Sequence, residues 1–144
     1  RPGYPSRHNL KYWTLEEYAG FGPGAHSDVG GARWALPRDL EAFCRGELLP
    51  EREAIGPLER LREYLLLGLR TAEGISREEF SRRGGPSFAP VEAVLERCRQ
   101  AGYARRTEAG WHLTPEGFLV SNRIIGLALE ALEVAPTPPE AENT

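Results

Sequence analysis

The stretch Leu58-Glu59-Arg60-Leu61-Arg62-Glu63-Tyr64-Leu65-Leu66-Leu67-Gly68-Leu69 decides the fold. Leu58, Leu61, Leu65 and Leu69 step by three, four and four residues, which predicts one face of a helix, and Gly74 follows it. Leu66 and Leu67 widen that face, so the helix is expected at the centre of a core. Downstream, Ser76-Arg77-Glu78-Glu79 has the spacing of a capping box, with Phe80 just after, and predicts a short second helix that stops at Gly84-Gly85. Val91, Val94, Leu95, Cys98 and Ala101 form the stripe of a third helix, ended by Gly102. Tyr103–Arg106, a turn at Thr107–Gly110 and Trp111–Leu113 read as a hairpin. Thr114-Pro115 is an N-cap with proline at the first helical position, and predicts one last helix to about Glu133 on Phe118, Ile124, Ile125, Ala128 and Leu132. Three helices followed by a two-stranded hairpin is the winged-helix order.

Upstream the pattern is weaker. Leu10–Trp13 is expected as a short extended segment, and Leu15–Ala19 as a helical turn with Thr14 as its N-cap. Phe21–Ser27 is expected as a tight loop, Ala32–Leu36 as a strand, and Pro37–Arg45 as a helix closed by Gly46. The expected organisation is therefore 1–36, rich in glycine and aromatics, a connector at 37–57, a mainly helical domain at 58–133, and a Pro/Glu tail at 134–144 that cannot bury enough surface to order itself.

Composition excludes several classes. The 144 residues carry a net charge of −3, which argues against a generally basic nucleic-acid binder. No apolar run is long enough for a transmembrane helix, so no membrane span is expected. Two cysteines, Cys44 and Cys98, far apart and without a CxxC, read as reduced thiols of a cytoplasmic protein. Methionine is absent and the chain opens on Arg1-Pro2-Gly3-Tyr4, which reads as a piece of a longer protein.

Three places could carry chemistry. In Arg7-His8-Asn9-Leu10-Lys11-Tyr12-Trp13, imidazole is a good iron ligand, a neighbouring Asn can orient it, and Tyr and Trp offer flat faces. From the residues alone, His8 reads more readily as a hydrogen-bonded structural histidine than as a ligand. In Gly20-Phe21-Gly22-Pro23-Gly24-Ala25-His26-Ser27, glycines allow close backbone approach to a ligand, but the spacing is not GxGxxG and Pro23 removes a donor. On the third helix Arg97, Arg99 and Gln100 are balanced by Glu92 and Glu96, so little surplus charge is available for phosphate.

Taken together, Pro2-Gly3-Tyr4, then Arg7–Trp13, then Tyr18–Ser27, resemble the end of the barrel in the oxygen-independent coproporphyrinogen III oxidase-like radical-SAM family, in its haem-chaperone, HemW-type branch. That branch's HNxxYW motif is matched by His8, Asn9, Tyr12 and Trp13. Leu65–Arg70, Gly74-Ile75, Phe80, Gly102-Tyr103 and Leu113–Phe118 resemble the family's C-terminal domain. The resemblance implies an α+β chain: the last elements of a partial TIM-like radical-SAM barrel at 1–36, then a winged-helix-like C-terminal domain. It implies haem as ligand, with His8 on the iron, Asn9 orienting it, Tyr12 and Trp13 against the porphyrin, and Gly22, Gly24 and His26 lining the barrel mouth. It implies haem-receiving proteins and the missing barrel domain as partners. The [4Fe–4S] cluster and S-adenosylmethionine are expected only on an upstream part. Cys44 and Cys98 do not match the cluster motif. The alternatives are the oxidase activity itself, radical decarboxylation in porphyrin synthesis, and, further off, a winged-helix interaction or nucleic-acid-binding module. The isolated chain is expected to expose an apolar face around Leu10, Tyr12, Trp13 and Phe21.

Overall fold

The structure, a computed structural model, describes residues 6–134; the side chains of Arg7, His8 and Val134 lie outside that description. Pro2-Gly3-Tyr4 and the tail after residue 134 also lie outside the described residues. The chain divides into two compact units, Arg1–Glu59 and Arg60–Thr144.

The first unit opens with α1 (Arg7–Trp13), where an extended segment was expected at Leu10–Trp13. Ser6 starts it, its hydroxyl accepting from the Asn9 amide at 3.4 Å. Thr14 closes this helix instead of starting the next: its amide and its hydroxyl both donate to the Leu10 carbonyl, at 2.9 and 3.0 Å. A threonine hydroxyl can bond backward to a helix carbonyl as readily as forward, so its direction was ambiguous in the sequence. Leu15 then takes φ +58, and the Glu16 amide bonds the Lys11 carbonyl. That is a Schellman-type stop, and it removes the helical turn expected at Leu15–Ala19.

A three-stranded antiparallel sheet follows, in the order β1 (His26–Val29), β2 (Ala32–Ala35), β3 (Glu51–Ala54). The β1–β2 turn is Gly30-Gly31, both at positive φ, as a tight hairpin needs. The expected loop at Phe21–Ser27 is therefore shorter: the turn occupies Gly22–Gly24, and His26 and Ser27 belong to β1. Tyr18 adds a single antiparallel bridge to Asp28. The helix expected at Pro37–Arg45 is the shorter α2 (Leu40–Cys44), because Asp39, not Pro37, caps it, accepting from the Ala42 amide at 2.8 Å. β3 was not expected; all four of its residues are exposed.

The second unit matches its sequence pattern more closely. It contains most of α3 (Pro57–Gly68), then α4 (Arg77–Arg82), α5 (Ala89–Gln100), the hairpin β4 (Ala104–Thr107) and β5 (Gly110–Leu113), α6 (Pro115–Leu119) and α7 (Ser121–Val134). Leu61, Leu65 and Leu69 are buried as expected; Leu58 stays half exposed, and Tyr64 joins the buried face. α5 packs along α7. Val91, Val94 and Leu95 of α5 and Ile124, Ile125, Ala128 and Leu132 of α7 are all buried. Phe80 and Phe88 meet with ring centroids 5.2 Å apart. Ile75 pairs with Trp111 through both amides, at 2.9 and 2.7 Å. That bridge requires Gly74: its φ is +68, and a Cβ there would fall 2.1 Å from the Trp111 carbonyl.

The single last helix expected from Thr114 is two helices, broken at Val120. Thr114 caps α6 as read, accepting from the Gly117 amide at 3.1 Å. Gly117 sits so close to Tyr103 that a Cβ would lie 1.9 Å from its carbonyl. α6 thus docks on the hairpin while α7 follows α5, and one straight helix cannot serve both. Phe118 is consequently exposed, not part of the buried stripe.

Candidate functional site

The residues singled out in the sequence fall in the first unit. His8, Asn9, Tyr12 and Trp13 all lie on α1. His8 precedes Tyr12, and Asn9 precedes Trp13, by four residues, so each pair shares a helix face. The His8 side chain is outside the description, and its expected role is not fixed by any contact. Asn9 is exposed. Tyr12 is 42% and Trp13 39% exposed, large values for aromatic rings, and Phe21 nearby in sequence is 93% exposed. The expected apolar face is present at these three; Leu10 is half-buried.

Tyr12 also has a partner. Its ring stands edge-on to Tyr18, with centroids 4.7 Å apart and planes at 73°. Tyr18 is fixed in turn, because its amide donates to the Asp28 carbonyl (3.0 Å) and its carbonyl accepts from the Asp28 amide (2.8 Å). The Asp28 carboxylate is nearly buried and pairs with Arg33 of β2 at 3.0 Å. The Ser27 hydroxyl, also buried, accepts from the Gly20 amide at 3.0 Å.

The glycine loop has a structural account. The Gly24 amide donates to the Leu36 and Pro37 carbonyls, at 3.0 and 3.1 Å, and its φ is +72. Gly22 has φ +99, with open space where a Cβ would sit. His26 is exposed at the start of β1 and lines a groove of about 320 Å³ with Arg33, Trp34, Ala35 and the β3 residues Glu51, Arg52 and Glu53. The Arg52 guanidinium lies over the Trp34 ring, 5.6 Å from its centroid. Sequence reasoning missed this groove, because β3 has no apolar alternation to announce it.

The cysteines do not assemble a metal centre. Cys44 is exposed at the end of α2 and Cys98 is half-buried on α5, where burial pushes its thiol up against a lesser lowering by Arg97. Among the described residues no group of three or more His, Cys, Asp or Glu could hold a metal ion. No described helix is long and apolar enough to cross a membrane.

On the second unit, Arg99 pairs with Glu96 at 2.7 Å, Arg106 with Glu92 at 3.6 Å, and Arg77 also meets Glu92. The bond from Arg99 holds the Glu96 carboxyl below its ordinary range. Arg99 and Arg106 are thus paired with carboxylates where they stand. His112, which the sequence reading did not mark, is buried with both ring nitrogens engaged, Nδ1 with the Ala72 carbonyl and Nε2 with the Thr107 hydroxyl, each at 2.9 Å.

Residues 55–120 match the family of HemN C-terminal domains. Those residues therefore carry a HemN C-terminal domain. Relatives from several bacteria bear the name haem chaperone HemW. The one from Bacillus subtilis is 30% identical over 138 residues, covering 92% of this chain and 36% of that protein. The one from Escherichia coli K12 is 28% identical over 134 residues, covering 90% and 35%. The chain thus spans about a third of the length of the curated relatives it matches. Among solved structures, the coproporphyrinogen III oxidase HemN from Escherichia coli, a radical SAM enzyme, aligns with a TM-score of 0.53 at 16% identity, over 82% of this chain and 28% of that one. The mixed α/β architecture is accordingly the HemN-like C-terminal fold.

Proposed function

We propose that this chain is the C-terminal part of a haem chaperone, and that α1 is where it meets haem. The observation that carries the reading is α1 itself: a short capped helix that holds His8 and Asn9 and leaves Tyr12 and Trp13 about two-fifths exposed. Haem is flat and largely apolar. Covering the exposed part of two such rings removes on the order of 150–200 Å² from water, about 4–5 kcal/mol at the usual coefficient. On this reading His8 supplies the iron ligand and Asn9 orients it. Gly22 and Gly24 shape the adjoining turn, and His26 lines its own groove. A single histidine ligand exchanges more readily than a pair, which suits delivery to haem-receiving proteins.

The same reading takes 1–36 as the last elements of a radical-SAM barrel, 37–57 as a connector, and 58–133 as a winged-helix-like domain. The order α3, α4, α5, hairpin supports the last of these. The [4Fe–4S] cluster and S-adenosylmethionine then belong to polypeptide outside this chain, in a cytoplasmic protein. The competing function is coproporphyrinogen III oxidation, the activity named for the solved HemN structure. The HNxxYW match favours the chaperone.

The test is a titration with ferric haem, followed by absorbance, for the wild type and His8→Ala. Loss of the wild-type spectrum and weakened binding in the variant are expected. Identical spectra and affinity would remove His8 from the site.

A further inference from the structure

We propose that Tyr12 is a positioning residue: held edge-on by Tyr18, it fixes the rotation of α1 and so the direction from which His8 meets the iron. This rests on α1 being the haem-contacting segment. α1 is seven residues long, under two turns, and a helix of that length has little stability of its own. Ser6 and Thr14 fix where it begins and ends. Caps act at the termini and do not set rotation about the helix axis. A lateral contact does, and Tyr12 with Tyr18 makes one.

That contact is grounded in the sheet. Tyr18 is bonded to Asp28 through both backbone groups, and the Asp28 carboxylate is held by Arg33 on the neighbouring strand. The line of support therefore runs from β2 through β1 and Tyr18 to α1. His8 and Tyr12 are one turn apart on the same face. Any rotation of α1 that breaks the ring contact turns His8 through the same angle. Tyr18 lies outside the HNxxYW motif, so a ligand-geometry effect at Tyr18 is specific to this mechanism.

The experiment uses ferric haem and the whole chain, in the variants Tyr12→Phe, Tyr12→Ala, Tyr18→Ala and Tyr12→Ala/Tyr18→Ala, with His8→Ala alongside. Affinity is read by absorbance, ligand geometry by electron paramagnetic resonance, and folding by circular dichroism. Tyr12→Phe keeps the ring and should keep both the wild-type spectrum and the affinity. Tyr18→Ala should alter the resonance signature and weaken binding about 3- to 10-fold, the range an aromatic pair carries, and Tyr12→Ala should alter the signature alike but weaken binding further, because it also removes a ring that covers haem. The double variant should be no worse than Tyr12→Ala. If either alanine variant fails to fold, Tyr18→Leu, which fills the site without an aromatic edge, gives the same readout. A wild-type spectrum and affinity in Tyr18→Ala or Tyr18→Leu would overturn the proposal, and so would a Tyr12→Phe variant that behaves like Tyr12→Ala. An unchanged His8→Ala instead removes His8 from the site, the premise this rests on, so the two failures are distinct.

Discussion

Replacing Tyr64 by Phe removes one oxygen from the middle of the second unit, and the structure sets the size of the effect. The Tyr64 hydroxyl accepts from the Ser76 amide at 2.8 Å and donates to the Ser76 carbonyl at 3.4 Å. In a full capping box the Glu79 carboxylate would take that amide. Here Glu79 is occupied by Arg82 (2.7 Å) and Arg83 (2.6 Å), so Tyr64 takes its place. The Arg83 guanidinium over the ring, 5.0 Å from its centroid, is indifferent to the substitution. What is lost is the acceptor of a half-buried amide, which costs about 1–2 kcal/mol. For a unit of this size that lowers the Tm by about 4–16 °C. Thermal unfolding followed by circular dichroism measures it, and hydrogen exchange at the Ser76 amide localises it. A loss below about 0.5 kcal/mol, with the Ser76 amide exchanging no faster, would refute the assignment. A pH dependence accompanies it. Burial pushes the Tyr64 phenol up, outweighing the lowering by its bonds to Ser76. The group titrates higher in the folded than in the unfolded chain, so its contribution is complete below about pH 10 and is lost as pH rises through the folded value. Tyr64→Phe should flatten that alkaline loss.

Two further substitutions test other parts of the account. Gly74→Ala places a Cβ 2.1 Å from the Trp111 carbonyl and 2.7 Å from His112 Nδ1 at a positive φ. It should cost about 3 kcal/mol or more in urea unfolding, and a loss under 1 kcal/mol, on the order of an ordinary surface change, would contradict the close approach. Cys44 is exposed while burial raises the Cys98 thiol, so an aromatic disulfide reagent should titrate one thiol fast and one slowly. Cys44→Ser should remove the fast phase, and its survival would place the reactive thiol on α5.

The second unit was legible because its signals are local and agree with one another. Leucines at helical spacing, Ser76 ahead of Glu79, the glycines after α3, α4 and α5, and Thr114-Pro115 each specify an element without reference to distant residues. Where a distant partner intervened, the reading slipped. The box at Ser76 was visible, but the tyrosine that completes it stands twelve residues away. The break at Val120 follows from Gly117 docking on Tyr103, which no local pattern records. The first unit slipped more often for a related reason. Glu51–Ala54 becomes a strand only because β2 offers it an edge, and its composition is otherwise that of a solvated loop. Thr14 could cap in either direction, and Leu15 adopts a left-handed conformation usually reserved for glycine. The four candidate residues on α1 were recognised as a motif, yet the partner that anchors Tyr12 lies outside it.

The two units are held together by different physics, and that bears on function. Among the described residues, every buried large apolar side chain, from Leu61 to Leu132, belongs to the second unit. Among the described residues of the first, the buried polar side chains are Ser27 and Asp28, satisfied by the Gly20 amide and by Arg33. Hydrogen bonds fix geometry well but contribute little net free energy, while apolar burial supplies most of the stabilisation. The first unit thus sits at the low-stability end of the chain while displaying Tyr12, Trp13 and Phe21 to solvent. A large flat apolar ligand seated on α1 would provide the burial this unit lacks, and binding would then stabilise the unit by mass action. When the ligand left, the unit would return to its weakly held state. On the proposed function, carriage would depend on that coupling, since a site with a complete core of its own would gain less from its cargo.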